Sequence, residues 1–592
     1  MSESGSGKKT AYLWYVLLVL LTILSLAGAY KTLFFSADID EAYALSQAQR
    51  LLGGDRLLLE MWEPHQFSAL LYAPLVWVFE LIAGPEGKGL VLMLRGTGLV
   101  IQAALAILLY RSLAKEKRSC SALLSAFLYF NFTPKHIQSP EFCGMFFWAL
   151  TALLLLLRPS SVDDGEKREE KPDEKKAGVL YGILTGLCMS VMVLCYPTAL
   201  MVFICVFFLL WKKDRKQALT FVATCGVLAV CVLAWMATRG SLATAFSNLP
   251  NMLGDSSHKQ SLWETLIWHG SNLFAMLRIP AALLVISLSG KAVLDKDGSK
   301  KGLFWGVTYL CFGLIMIKQF HGISGKVYYD FLPVLAQLSL LAAVWLFVFG
   351  HENVKDGEER RYLKQAWILS LLCLICMMSL SNLPADYSMG IWLPFLLMFF
   401  CSAASEFAPA DFSIKGKAMD KRVAGAGLLF LVLVLSLQIF AVRLFLVRFS
   451  GNQRRNIFEE YYQVNHGPIA GIRLGGDDWQ HYDDILHAYV EGISEEDKVL
   501  YVGASLYFYS LLRSDQIATG NTISTPVYDE QLLEYYRQFP ERLPTALVLD
   551  GGYVADYASF MDKEPFASFV SEHFDMENGQ TFGSLVVYHA YR

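Results

Sequence analysis

Long apolar runs alternate with short charged intervals along most of this chain. The runs fall at 11–30, 93–111, 120–133, 142–158, 178–195, 197–211, 217–237, 272–290, 302–318, 328–349, 365–382, 390–405 and 423–444. Most approach the roughly 20 residues that carry a helix across a bilayer core, so the pattern predicts about thirteen spans. Gln66 to Ala83 is apolar too, but it holds Pro74 and Glu80 and ends in Gly84-Pro-Glu-Gly. It predicts a re-entrant or interfacial helix. From Ser450 the pattern changes. Lys498 to Gly503, Ala546 to Asp550 and Gly583 to Tyr588 read as short buried strands, with helices at Tyr482 to Val490 and Asp529 to Phe539. The expected fold is an α-helical polytopic membrane protein over 1–449, with a small α/β domain over 450–592 that has a partly parallel sheet and its own core.

Composition agrees. The chain is 54% hydrophobic and 18% charged, and its net charge of -4 gives no sign of a nucleic-acid partner. The eleven cysteines sit in apolar segments and stop at Cys401, which predicts packing residues rather than disulfides or a metal knuckle. Basic clusters recur in alternate loops, from Lys8-Lys9 through Arg111–Arg118, Arg158–Lys176, Lys212–Lys216, Lys291–Lys301 and Lys355–Lys364 to Lys415–Arg422. The positive-inside rule then puts the N-terminus in the cytoplasm and the loop 31–95 outside. An odd number of spans puts 450–592 outside as well. Lys8-Lys9 and Ala27-Gly-Ala29 imitate a signal peptide, but the run between them is too long for a signal core, so a retained span is expected. The short inner loops hold no Walker A sequence, which argues against an ATP-driven mechanism.

Polar candidates gather on the outer side. Asp38, Asp40 and Glu41 stand where the chain leaves the first span. Carboxylates are costly near hydrocarbon and mark a site there. A helical pattern follows, through Tyr43, Leu45, Ala48 and Leu51, and stops at Gly53-Gly54. Asp40 could simply cap it, although one cap needs only one carboxylate. Glu63-Pro64-His65 could bind a metal, orient a sugar or only solvate the loop. Further along come Lys135 and His136, then Glu141 at the head of an apolar run. A loop from Arg239 to Trp268 is long enough for a lid. Lys318, His321, Lys326, Tyr328, Tyr329 and Asp330 then share one loop that could hold an anionic headgroup. Each of these cations could equally snorkel from a helix end. Gly503-Ala-Ser505 is either a phosphate cradle or an ordinary turn after a strand.

Carboxylates beside cations can deprotonate a hydroxyl and receive a departing phosphate. Three features together resemble the GT-C class of membrane glycosyltransferases, in particular the protein mannosyltransferase and aminoarabinose lipid A transferase superfamily. They are Asp40-Glu41-Ala-Tyr43, Gly54-Asp55, and Trp62-Glu63-Pro64-His65 before a Pro-containing helix. Gly84, Arg95 and Glu141 fit the same resemblance. It covers the first ~160 residues best, and the thirteen-span plan with an outer C-terminal domain extends it.

The resemblance implies a GT-C-like fold in a plasma membrane, bacterial in setting. It also implies an inverting transfer from a polyprenyl-phosphate sugar to a glycan, lipid or protein acceptor outside the cytoplasm. Asp40 would be the base, supported by Glu41 and Tyr43. The remaining donor-phosphate and substrate candidates are Glu63, His65, Arg95, Lys135, Glu141, Lys318, His321, Lys326, Tyr328 and Tyr329. Glu63, His65 and His321 are candidate ligands for a divalent metal, which the chemistry does not strictly require. The aminoarabinose transferases carry Glu-Lys-Pro in the first loop. Here that lysine is missing, and His65, Lys318 or Lys326 would substitute for it. The alternatives are a transporter or lipid flippase, or a non-catalytic cell-envelope assembly protein.

Overall fold

The computed structural model describes residues 4–84, 87–114, 119–132, 138–159, 172–253, 263–265, 267–278, 327–344, 346–347, 357–379, 385–403, 413–414, 417–418, 443–448, 454–503, 507–522, 530–551 and 564–591. Helices occupy the apolar runs. They are α1 (Ser4–Phe34), α2 (Ile39–Leu52), α3 (Ala69–Ala83), α4 (Leu90–Ala114), α5 (Ser119–Asn131), α6 (Phe142–Leu157), α7 (Pro172–Cys195), α8 (Leu200–Lys213) and α9 (Arg215–Arg239). Further helices cover Val327–Val344, Gly357–Ser379 and Leu393–Ala403. The expected span at 302–318 lies outside the described residues, as do 272–290 beyond Arg278 and 423–444 before Arg443.

Among the described residues, five helices are long and apolar enough to cross a membrane: Gln66–Ala83, Leu90–Ala114, Gly178–Cys195, Arg215–Arg239 and Gly357–Ser379. Gln66–Ala83 differs from the sequence reading in one respect. Pro74 lies inside α3, and the helix continues through it from Ala69 to Ala83.

Helices α7 and α9 meet through small residues. A side chain at Gly182 or Gly186 would run into Thr220 or Thr224 at 2.8 and 2.7 Å. Such a seam lets two backbones approach where no water drives them together. Further along the pair, the faces of α7, α8 and α9 enclose an apolar cavity of about 540 Å³, lined by Met189, Val193, Pro197, Phe203, Val222 and Gly226 among others.

The C-terminal region builds a four-stranded sheet. Val499–Val502 pairs parallel with Ala546–Asp550, which pairs antiparallel with Leu585–His589, and that strand pairs with Gln580–Phe582. The helices Gly476–Gly492 and Glu530–Gln538 accompany it. This is the partly parallel α/β arrangement that the strand and helix pattern predicts. The expectation of a separate core differs from what is seen. Val499, Leu500 and Val548 belong to the same buried cluster as Leu45, Trp62 and Leu94. The apolar faces of the first loop and of the sheet region are covered by each other.

Candidate functional site

The site grows from the head of α2. The backbone of Asp38 is extended (φ -131°, ψ 138°), and its carboxylate accepts the Asp40 N–H at 2.9 Å. The cap is therefore Asp38, and the capping alternative that the sequence left open for Asp40 does not hold. Asp40 is already inside the first turn, where its backbone is helical. Asp38 and Glu41 are buried, whereas Asp40 is half-buried. Asp40 and Glu41 both face the positive end of the helix dipole. The helix stops at Gly53, and Gly54 takes the left-handed conformation (φ 110°), as the Gly-Gly signal predicts.

Glu41 belongs to a buried network. Its carboxylate receives Nε and Nη2 of Arg95, the latter at 2.6 Å. Arg95 also donates to the carbonyls of Thr32, Leu33, Phe35 and Ser36. All three guanidinium nitrogens are thus engaged. The Tyr507 hydroxyl donates to Glu41 Oε2 at 2.8 Å. Burial and the neighbouring Glu41 push the Tyr507 phenol upward, so it keeps the proton that it donates.

A second buried network ties the other end of α2. Arg50 donates to Asp55 at 2.7 Å, to the Glu60 carbonyl at 2.8 Å and to Glu63 at 3.4 Å. Glu63 Oε1 also accepts from the amide and hydroxyl of Thr522, at 2.9 and 2.6 Å. Arg542 reaches Asp55 at 2.5 Å. The Trp62 N–H donates to the Gly520 carbonyl at 2.7 Å. Gln47 and Arg50 look like a polar face in the sequence, yet both are fully buried.

Between these networks lies an aromatic group. His65 stacks on Phe142 at 3.9 Å and meets Tyr196 edge-on at 4.8 Å. Its Nδ1 is 3.0 Å from the Cys195 carbonyl at the end of α7, so Nδ1 carries the proton there. Tyr43 meets Phe142 edge-on at 6.3 Å. Burial first, then the charges of Glu63 and Asp40, push the Tyr43 phenol upward; both carboxylates lie within electrostatic reach of it. Tyr43 Oη, Gln47 Nε2 and Glu63 Oε2 are buried and make no well-formed hydrogen bond among the described residues, although Gln47 lies near Glu63 and the His65 backbone near Tyr43. Buried polar atoms are nearly always paired, so this polar group is suited to meeting a ligand or ordered water. Glu141 caps α6, accepting the amides of Cys143 and Gly144 at 2.7 and 2.5 Å. The cap explains an acid at the head of an apolar helix.

The fold brings Asp40, Tyr43, Glu63, His65 and Glu141 around one aromatic group, with Glu41 and Arg95 paired beside it. Lys135, Lys318, His321 and Lys326 lie outside the described residues. Tyr328 and Tyr329 stand in the first turn of the Val327–Val344 helix. Among the described residues, no group of three His, Cys, Asp or Glu could hold a metal ion. Sequence reasoning missed Arg50, Tyr507, Thr522 and Arg542. None carries a motif. Arg50 has its partners within 13 residues, in the loop after α2, whereas the partners of Tyr507, Thr522 and Arg542 are more than 450 residues away.

No protein-family model matches the chain. No curated protein sequence matches it. Several solved structures are similar to it. One is the oligosaccharyltransferase of Archaeoglobus fulgidus in complex with Zn and sulfate, at 11% identity and TM-score 0.44, covering 94% of this chain and 71% of that one. Another is AglB of the same organism with an inhibitory peptide and a dolichol-phosphate, at 12% identity and TM-score 0.37, covering 91% and 70%. A third is ArnT from Cupriavidus metallidurans bound to undecaprenyl phosphate, at 11% identity and TM-score 0.45, covering 97% of each chain.

Proposed function

We propose that this chain is an inverting glycosyltransferase that moves a sugar from a polyprenyl-phosphate donor to a glycan, lipid or protein acceptor. The reaction takes place on the extracytoplasmic face of a plasma membrane. The observation that carries the reading is the difference among the three clustered acids. Asp38 caps the helix and Glu41 is locked to Arg95, both buried, while Asp40 is half-buried and within electrostatic reach of Tyr43. Asp40 is the base. It takes the proton as the acceptor oxygen attacks the anomeric carbon. The bond from that carbon to the phosphate oxygen breaks, and the electron pair leaves with the polyprenyl phosphate. Tyr43 and Glu63 offer polar atoms to the sugar. Lys135, Lys318, His321 and Lys326 are the candidates to meet the phosphate charge. No step is routed through a metal.

The apolar cavity between α7, α8 and α9 suits the donor's prenyl chain. Its lining includes Phe67, two residues from His65, and Leu194 and Pro197, which flank Cys195 and Tyr196. A lipid chain there would bring its phosphate end to the aromatic group. The full-length protein in nanodiscs, given radiolabelled polyprenyl-phosphate pentoses and hexoses together with a cell-envelope extract that supplies glycan, lipid and protein acceptors, should release polyprenyl phosphate with at least one of them. Intact donor throughout, or donor translocated without bond cleavage, would overturn the reading in favour of a flippase or a non-catalytic protein.

Gly226 offers a sharper check on the groove. It lines the cavity, and a Cβ there meets nothing within 4 Å. Gly226→Phe should therefore fold, since replacing a mid-helix glycine does not weaken a helix. It should raise KM for long-chain donors several-fold at unchanged kcat, because it removes only binding shared by ground and transition states. An equal effect on a short-chain donor analogue would argue against the groove.

A further inference from the structure

We infer that the C-terminal region is part of the reacting site, and that its Tyr507 is a positioning residue for the turn that carries Asp40. The inference rests on the transferase reading above and adds to it a residue from beyond the membrane helices.

The turn is held from three directions. Asp38 caps it from the N-terminal side. Arg95, on α4, fixes Glu41 to the carbonyls that leave α1. The third hold is Tyr507, 466 positions along the chain from Glu41, whose hydroxyl donates to Glu41 Oε2. Arg95 Nη2 binds that same oxygen, so the carboxylate is gripped between a cation on one side and a phenol on the other.

The backbone supports a functional reason for this joint. Ser36 and Tyr507 have φ of 73° and 65°, a left-handed conformation that residues with a side chain rarely adopt. Such residues persist only where their surroundings over-determine them, and they cluster at functional sites. Both lie at the contact between the first outer loop and the C-terminal region. Ser36 N–H donates to the Arg473 carbonyl at 3.1 Å, and its carbonyl accepts from Arg95. Ser36, Glu41, Arg95 and Tyr507 are not among the residues that line the α7–α9 cavity, so the joint should govern the placement of Asp40 and leave lipid binding alone.

Tyr507→Phe keeps the ring and removes only the donor. In nanodisc-embedded full-length protein it should lower kcat about tenfold with KM for the polyprenyl-phosphate sugar unchanged, the pattern of a misplaced reacting group. Hydrogen exchange, read by mass spectrometry, should quicken at amides 36–44 and stay unchanged across 90–114. Wild-type kcat in the variant, or a rise in KM instead, would overturn the inference. So would unchanged exchange at 36–44, which also decides the matter without any turnover. If the wild-type protein transfers no sugar, the transferase reading fails, while quickened exchange would still establish the clamp.

Discussion

Asp40→Asn abolishes sugar transfer while leaving the melting temperature and helix content near wild-type values. The substitution keeps the shape of the side chain and removes its basicity. Loss of a positioned general base costs about a hundred- to ten-thousandfold, because the attacking hydroxyl has nowhere to send its proton. The loss of turnover should far exceed any loss of stability, because the helix cap is Asp38 and the buried ion pair with Arg95 belongs to Glu41. The neighbouring acids give the contrast. Asp38→Asn retains a capping oxygen and should be close to wild type in both activity and stability. Glu41→Gln leaves Arg95 buried without its counter-charge and should lose stability as well as activity. The measurement is release of polyprenyl phosphate per mole of protein, beside a thermal melt of each variant. Wild-type turnover by Asp40→Asn, or an Asp38→Asn loss as large as its own, would remove Asp40 from the mechanism.

Much of this arrangement was legible in the sequence. Run length located the helices, Gly53-Gly54 located the end of α2, and strand patterns located three of the four strands of the C-terminal sheet. These signals are local, and backbone propensity and burial decide them within a few residues. Asp38 and Asp40 were confused because both precede an apolar helical pattern. Only the extended backbone at Asp38 shows which residue still lies outside the helix. Glu141 was noticed for its cost in an apolar setting, and the compensation is local too: two free amides at the start of α6. What stayed hidden depends on distant pairing. Arg50 and Gln47 fit the polar face of a solvated helix, but the C-terminal region covers that face. Thr522 and Arg542 look like ordinary loop residues until they are seen on Glu63 and Asp55. No periodicity encodes a contact of that kind.

The buried network around Arg50 yields the largest expected effect on stability. Arg50→Met should destabilise the protein by about 3–5 kcal/mol, because removing one partner strands the other charges away from water. Arg50 and Glu63 have fully buried side chains and Asp55 is almost so. Burial already pushes the Glu63 carboxyl above the ordinary range, with Arg50 and Thr522 pulling it back. Without Arg50 that restraint is gone and the carboxyl rises further. A carboxyl whose folded pKa is raised contributes most below its unfolded value, near 4.3, and loses that contribution as pH climbs through the folded value. The variant should therefore be least stable at neutral pH and recover part of the deficit as the medium is acidified and Glu63 takes up a proton. Adding Glu63→Gln to Arg50→Met should recover part of the deficit at pH 7 without acid, and the non-additivity of the two changes measures their coupling. Thermal melts of the detergent-solubilised full chain at several pH values test this. A deficit that is the same at acid and neutral pH, or a double variant whose losses simply add, would mean that Arg50 acts by packing alone.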